Sequence, residues 1–329
     1  MNILLSCIGK RGYIADYFRD ALPPGSKIIG TSNSEWTPGF SSCDISLILP
    51  PINSDEYIPA LLAECRTHEV AGMLSFFDPD VHKLSAYRKD FVRSGITPII
   101  PEYAASIIAF DKLETYRCLT KLNIPVPLTT ELLSQACEWV QIKKFSFPLM
   151  VKPRFGYGSA NTFVARNKSE LEVFYNYAPE MIVQQYMDAE AVNVDGLGDL
   201  MARPVSIVPW RKLLSKMGET ERSITIDSNN LIELAEHIVK EVGIIGPFDI
   251  DFFRDSKGKL WVLELNLRFG GGYPVSHLAG ADFPKKIIQI IQGDHPEPCI
   301  GDYERGVTMM KRLQIIKGPK YIPTNKNEN

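Results

Sequence analysis

Two short stretches late in the chain concentrate polar side chains at two-residue spacing: Phe248-Asp-Ile-Asp-Phe-Phe, then Trp261-Val-Leu-Glu-Leu-Asn-Leu-Arg268. In an extended strand residues two apart share a face, so Glu264, Asn266 and Arg268 point one way. The turn Asp255-Ser256-Lys257-Gly258 makes the first stretch a hairpin neighbour, from which Asp251 can join them. Oxygen ligands grouped in this way suit Mg2+, which takes one or two carboxylates and completes its shell with phosphate oxygens and water. Arg268 then falls where it can hold the oxygens of a transferred phosphate. A solvated strand face shows the same alternation. The neighbours Val262, Leu263, Leu265 and Leu267 favour a buried strand instead, where carboxylates are rare unless paired or metal-bound.

A second candidate lies upstream. Lys152 ends the apolar run Pro148-Leu-Met-Val-Lys, just before a turn containing Gly156 and Gly158. Backbone N–H groups of such a loop can cradle phosphates while the lysine supplies a point charge, although a lysine reaching out from a strand end is the commoner case. Lys112, at the start of a helix, carries the same ambiguity. Arg203, Arg211, Lys212, Lys216, Gly218-Glu219 and Arg222 lie between these regions and read equally as substrate-facing groups or as a solvated basic loop. Gly270-Gly271-Gly272 permits close approach of a substrate or simply a bend, and Ser276 suits a helix start.

The elements that must position these groups fall into two kinds. Through residue 110 short apolar runs (Ile3 to Ile8, Lys27 to Gly30, Ile45 to Leu49, Val70 to Ser75, Ile96 to Ile100) alternate with helices near Tyr13 to Leu22, Asp55 to Arg66 and Pro79 to Arg93. This α/β alternation predicts a Rossmann-like parallel sheet with helices on both faces. Gly9-Lys10-Arg11-Gly12 follows the first strand but lacks the full dinucleotide spacing, so a structural turn or a substrate-facing loop is the better reading. From residue 111 the pattern becomes α+β with mostly antiparallel strands. Helices are expected from Asp111 to Leu122, Glu131 to Val140, Ser169 to Tyr177 and Leu231 to Val242. Strands are expected at Phe147 to Val151, Thr162 to Ala165, Met181 to Gln185, Val192 to Leu197, Val205 to Val208, Phe248 to Phe253 and Leu260 to Leu265. The division is 1–110, a Rossmann-like domain, and 111–329. The second part comprises a first lobe with a glycine-loop lid (111–187), a second lobe with the metal strands (188–315) and a tail (316–329).

Composition removes several function classes. A net charge of -3, with 36 basic and 39 acidic residues spread along 329, gives no reason to expect nucleic-acid or anionic-membrane binding. The six cysteines are far apart without metal spacing, which favours reduced thiols and the cytoplasm, and no apolar run is long enough to span a bilayer. The five histidines form no triad or zinc spacing, and there is no G-x-x-x-x-G-K-[ST] phosphate loop.

Taken in order, Asp111-Lys112, Val151-Lys152-Pro153 with its glycine loop, Ile182-Val-Gln-Gln-Tyr-Met187 and Leu263-Glu-Leu-Asn-Leu-Arg268 resemble the ATP-grasp superfamily. The similarity is to the branch of carbamoyl-phosphate synthetase large subunit and biotin carboxylase, over nearly the whole chain. It implies ATP between two α+β lobes, with Lys112 and Lys152 on its phosphates. A loop containing Gly156, Gly158 and Ser159 would close over it, and Gln184, Gln185, Tyr186 and Met187 would line the adenine pocket. Mg2+, or Mn2+ in its place, would sit on Asp251, Glu264 and Asn266, and Arg268 would stabilise phosphoryl transfer. The implied activity is a carboxylate ligase, acting on a small-molecule carboxylate and an amine through an acyl-phosphate and releasing ADP and phosphate. The implied assembly is a homodimer through the N-terminal domain. A different ATP-grasp phosphoryl chemistry and a nucleotide-binding regulatory module are the alternatives. The chain departs from the pattern where Ala191 replaces a ribose-binding glutamate, with Glu190 beside it as the substitute. It departs again at Asp251, more often Gln or Glu, and at Leu267, commonly proline.

Overall fold

The computed structural model describes every residue except Tyr157, Ser159, Met217, Gly218 and 320–329, so the expected loop residue Ser159 and the end of the tail lie outside the described residues. The N-terminal part is a five-stranded sheet of β1 (Asn2–Ser6), β2 (Ile28–Ser32), β3 (Ile45–Ile48), β4 (Val70–Ser75) and β5 (Thr97–Pro98). Its order is β3-β2-β1-β4-β5 and every pairing is parallel. Ile3, Leu4 and Leu5 are fully buried, as a central parallel strand covered on both faces requires. The connections are α1 (Gly12–Ala21), α2 (Tyr57–Thr67), α3 (Asp78–Ala86) and α4 (Arg88–Arg93). The single helix expected from 79 to 93 is therefore two, broken at Tyr87, and a helix not expected, α5 (Tyr103–Phe110), leads into α6 (Lys112–Lys121).

A four-stranded antiparallel sheet follows, ordered β6-β9-β7-β8, from β6 (Thr129–Thr130), β7 (Leu149–Pro153), β8 (Phe163–Ala165) and β9 (Met181–Gln185). With α7 (Leu133–Gln141) and α8 (Lys168–Tyr175) it encloses a core of its own: Ala136, Phe145, Leu149, Val151, Ala165, Leu171, Met181 and Val183. The third sheet is antiparallel, ordered β14-β13-β10-β11-β12-β15. Its strands are β10 (Glu190–Gly198), β11 (Pro204–Lys216), β12 (Glu219–Thr225), β13 (Gly246–Arg254), β14 (Leu260–Asn266) and β15 (Thr308–Met310). Three features differ from expectation here: β11 runs to Lys216 rather than stopping at Val208, and neither β12 nor β15 is among the expected strands. Helices α9 (Asn229–Val242), α10 (Pro274–Leu278) and α11 (Phe283–Ile291) complete the chain.

One continuous apolar cluster joins the parallel sheet to the third sheet, whereas the small second sheet packs separately. Phe269, just past β14, is its hinge point: it meets Phe18 of α1 edge-on at 6.1 Å between centroids and Phe76 at 5.8 Å. The first and third sheets thus share one interior. No helix among the described residues is long and apolar enough to cross a membrane.

Candidate active site

A cavity of about 430 Å³ opens between the second and third sheets. Its walls include Lys112, Met150, Lys152, Gly156, Gln184, Gln185, Tyr186, Met187, Phe253, Leu263 and Glu264. Seven residues expected around a nucleotide (Lys112, Lys152, Gly156, Gln184, Gln185, Tyr186 and Met187) therefore converge on one space, together with the expected metal ligand Glu264. Gly158 and Glu190 are not on that wall; Asp188 and Ala189 are, while Glu190 turns aside to Arg211 at 3.3 Å and Arg254 at 3.6 Å. The mixed lining, apolar at Met150, Phe253 and Leu263 and cationic at the lysines, is the chemistry of a pocket for a flat ring carrying phosphates.

Each lysine is placed by its local sequence. Asp111 caps α6, accepting hydrogen bonds from Leu113 N and Glu114 N, so Lys112 is the first helical residue. Asp111 also binds Arg154, through Nε at 2.8 Å and Nη2 at 2.6 Å, and Arg154 reaches Glu131 at 2.9 Å. This ties the start of α6 to the end of β7. Lys112 Nζ donates to the Gly156 carbonyl at 2.7 Å and pairs with Glu264 at 3.2 Å. Lys152 is 8% exposed. Burial lowers its pKa to about 8, against the opposing pull of Glu264. A buried ammonium held this way is short of anionic partners.

The hairpin of β13 and β14 sets Asp251 opposite Glu264 and Asp249 opposite Asn266. Asn266 Nδ2 lies 3.2 Å from Asp251 Oδ2, so the three expected metal ligands share one face. That face holds more than the sequence reading named. Lys212, on β11, reaches Asp251 Oδ1 at 2.8 Å, and Asn193, on β10, donates to the same oxygen at 2.5 Å. Burial presses the Asp251 carboxyl upward, but Lys212 and the Asn193 amide outweigh it and hold it below the ordinary aspartate range. Asp249 behaves oppositely: burial and then the Asp251 charge push it up to about 7. Asp195, opposite Asp249 in register, is raised well above normal by burial and by Asp249. Its Oδ2 accepts from Ser276 Oγ at 2.6 Å, so Ser276, expected to start a helix, is instead inside α10 and ties it to the third sheet.

Two carboxylates and an amide fit a divalent cation that draws its remaining ligands from phosphate and water. Among the described residues no group of three or more His, Cys, Asp or Glu forms a ready-made metal cluster. The orphaned, buried Oδ1 atoms of Asn193 and Asp195 show a polar floor that is incompletely satisfied by the protein alone. Of the basic candidates only Lys212 joins this face. Arg203 pairs with Asp199, Arg211 with Glu190, and Arg222 is exposed.

Arg268 bonds Asp78 through Nε and Nη2, both at 3.0 Å, and Asn266 Oδ1 at 3.1 Å. It therefore joins β14 to the carboxyl end of the parallel sheet. The three glycines after it are required by three different neighbours. A Cβ at Gly270 would strike Asp249 and Asp195, one at Gly271 would meet Glu219, and one at Gly272 would lie 2.2 Å from the Trp210 ring. A smaller cavity lined by Asp78, His82, Phe110, Lys112, Gly156, Glu264 and Asn266 shares Lys112, Gly156 and Glu264 with the large one. The sequence reading missed its N-terminal wall, where His82 stacks on Phe110 at 4.8 Å.

Comparison with known proteins adds the following. Residues 3–99 match the PylC-like N-terminal domain and residues 109–272 the ATP-grasp domain. The small subunit of 2-oxoglutarate carboxylase from Hydrogenobacter thermophilus is 26% identical over 232 residues, 61% of this chain and 47% of that protein. The carbamoyl phosphate synthase large chain of Thermoanaerobacter sp. is 24% identical over 255 residues, 70% of this chain and 23% of that one. A D-alanine--D-alanine ligase of Francisella tularensis is 26% identical over 205 residues, 57% of this chain and 68% of that one. The chain thus spans less than half the length of the first two. Among solved structures, N5-carboxyaminoimidazole synthetase from Staphylococcus aureus, complexed with ADP, superposes with a TM-score of 0.75 at 17% identity, covering 95% of this chain and 82% of that one. Biotin carboxylase from Campylobacter jejuni gives 0.74 at 16% identity, covering 93% and 74%. These two likenesses establish the fold.

Proposed function

Because the chain carries an ATP-grasp domain and so belongs to the ATP-grasp superfamily, we propose that it is an ATP-dependent ligase that phosphorylates a carboxylate and joins it to an amine. The observation that carries this reading is the continuity of the large cavity with the Asp251, Glu264, Asn266 and Arg268 face through Lys112 and Glu264. A carboxylate oxygen attacks the γ-phosphorus of ATP and the bond to the β–γ bridging oxygen breaks, releasing ADP. The amine nitrogen then attacks the acyl carbon, the C–O bond to phosphate breaks, and the nitrogen loses a proton. No protein nucleophile is needed; the work is positioning and charge neutralisation.

In this account Lys112 and Lys152 hold the phosphate chain, and Met150, Phe253 and Leu263 pack against the base beside Gln184 to Met187. Glu190 as a ribose contact is part of the proposal, and Asp188 stands on the cavity wall next to it. Asp251, Glu264 and Asn266 would hold Mg2+, or Mn2+ in its place, which when bound supplies Lewis-acid neutralisation of the phosphates. Arg268 neutralises the transferred phosphoryl oxygens. The relatives named above include a D-alanine--D-alanine ligase and an N5-carboxyaminoimidazole synthetase, which support ligation of small molecules. The division at 110/111, with lobes 111–187 and 188–315, belongs to the same proposal; the separate core of the small sheet supports the first lobe, while 1–110 and the second lobe share one apolar interior. So does a homodimer, since the H. thermophilus biotin carboxylase domain was solved as one. The free cysteines support a cytoplasmic location.

The test is isotope transfer. An acid labelled with 18O in its carboxylate is turned over with ATP and an amine, and the released phosphate is weighed. One labelled oxygen per phosphate is expected; unlabelled phosphate from a productive reaction would contradict the acyl-phosphate route.

A further inference from the structure

Arg11 is a cation beside the site to which the proposed reaction has so far given no task. It lies in the loop between β1 and α1, and its Nη1 donates to Phe76 O at 3.1 Å and to Phe269 O at 2.8 Å. Arg268 Nη1 donates to that same Phe269 oxygen at 3.1 Å. The two Nη1 atoms are therefore no farther apart than these two bonds laid end to end. Like charges this close, largely out of water, repel unless an anion is shared between them.

Their charge balance is unequal. Arg268 has Asp78 in direct contact, whereas Arg11 has no carboxylate within ion-pair distance among the described residues. The nearby Glu219 is already held by Lys311 at 3.0 Å. Burial and then the Arg268 charge both lower the pKa of Arg11 from the ordinary arginine value, as expected for a cation lacking its counter-ion. Two carbonyls take one of its nitrogens, and among the described residues no hydrogen bond engages Nε or Nη2, leaving a guanidinium edge suited to a bidentate carboxylate.

Topology points to the same place. In the order β3-β2-β1-β4-β5 the chain reverses its direction of sheet growth between β1 and β4, and the crevice beyond the carboxyl ends of such a strand pair is where open α/β sheets bind ligands. Arg11 follows β1 and Asp78 follows β4. α1 begins beside them with Arg11 as its N-cap and no side-chain cap bond, so its first amides add positive potential to the same crevice.

We propose that Arg11 and Arg268 together bind the carboxylate of the acid substrate in the crevice between β1 and β4, Arg11 being the substrate-binding residue that the N-terminal sheet contributes. The inference rests on the ligase reading. It specifies an acid with its carboxylate presented toward Phe269, beside the smaller cavity, two of whose lining residues, Asp78 and Asn266, bond Arg268.

The experiment compares wild type, Arg11→Ala, Arg11→Lys and the surface control Arg19→Ala, whose partner is the exposed Asp44. Saturation-transfer NMR is recorded on a defined mixture of the twenty common amino acids and small mono- and dicarboxylic acids, with MgADP present. Acid-dependent ADP release is measured on the same mixture. Wild type and Arg19→Ala are expected to bind at least one acid. Arg11→Ala is expected to lose that signal and to drop at least a hundredfold in kcat/KM for the acid, with KM for ATP within twofold. Arg11→Lys should fall between, because one ammonium replaces a bidentate fork. A folded Arg11→Ala protein that binds the same acids with unchanged signal overturns the assignment, as does a wild type that binds none of them. Acid binding that needs Arg11 without any turnover sinks the ligase reading and leaves the assignment of Arg11 standing.

Discussion

Lys152 gives a prediction that can be worked from the structure. With its pKa lowered from 10.5 to about 8 by burial, the free protein sheds this proton well before an exposed lysine would. A phosphate chain beside Nζ restores the charged form, so ATP binding above about pH 8 must take up a proton. Below that pH the lysine is charged in free and bound states alike and no dependence arises from it. Each pH unit above it weakens ATP binding about tenfold, ~1.4 kcal/mol, to a limit of roughly 3 kcal/mol near the ordinary lysine pKa. For the same reason its contribution to apoprotein stability improves as pH rises from about 8 toward 10.5, because the unfolded chain is then the state that binds more protons. The assay is calorimetric titration with ATP between pH 7 and 10 in buffers of different ionisation enthalpy, using wild type and Lys152→Arg, since an arginine keeps its charge throughout. Close to one proton taken up per ATP at pH 9, absent in the arginine variant, is expected. An ATP affinity flat across this range, or an equal slope in Lys152→Arg, would refute the reasoning.

Four further outcomes follow from particular contacts. Glu264→Ala and Arg268→Ala should each lower kcat at least a thousandfold with the circular dichroism spectrum unchanged, the scale expected when a preorganised charge at a phosphoryl-transfer site is lost; a variant with near-normal turnover sinks the site assignment. Gly272→Ala should destabilise by about 1–3 kcal/mol in denaturant titration, because its Cβ would lie 2.2 Å from two atoms of the fully buried Trp210 ring. Asp249→Asn should raise the melting temperature at neutral pH. An unfolded aspartate ionises near 3.8 while the folded one keeps its proton to about 7, so wild-type stability falls across that window and the amide should be spared the loss. Arg154→Met should cost about 2–4 kcal/mol in the same titration, since it strands the buried Asp111 carboxylate, and should raise KM for ATP by displacing Lys112 at the start of α6.

Sequence made the site legible wherever periodicity was strict. Glu264, Asn266 and Arg268 alternate along one strand, and the structure sets Asp251 opposite Glu264. Asp249 obeys the same two-residue rule and was available to that argument, but the burial that chiefly raises its pKa, and its place opposite Asp195, are set only by the folded sheet. Lys212 does not stand out among its basic neighbours, because the apolar run that marks its strand in the sequence ends at Val208 while the strand itself continues to Lys216. Polar segments account for the other gaps. β12 reads Glu-Thr-Glu-Arg-Ser-Ile-Thr and offers little apolar alternation, and it is held by pairing with β11 and β15. α5 fails for the opposite reason: Tyr-Ala-Ala-Ser-Ile-Ile-Ala-Phe is apolar on nearly every side, so no helical stripe stands out. The meeting of Arg11 with Arg268 joins residues on opposite ends of the sequence, and no local pattern encodes it.

The central claim is ligation driven by ATP, and nucleotide products test it most directly. Purified protein with MgATP is supplied with a pool of amino acids and small carboxylic acids, and with amines, while ADP, AMP, phosphate and pyrophosphate are separated. The account predicts ADP and phosphate in equal amounts, released only when one acid and one amine are both present, and lost in Glu264→Ala. AMP with pyrophosphate, or tight ATP binding with no turnover across the whole pool, would contradict it.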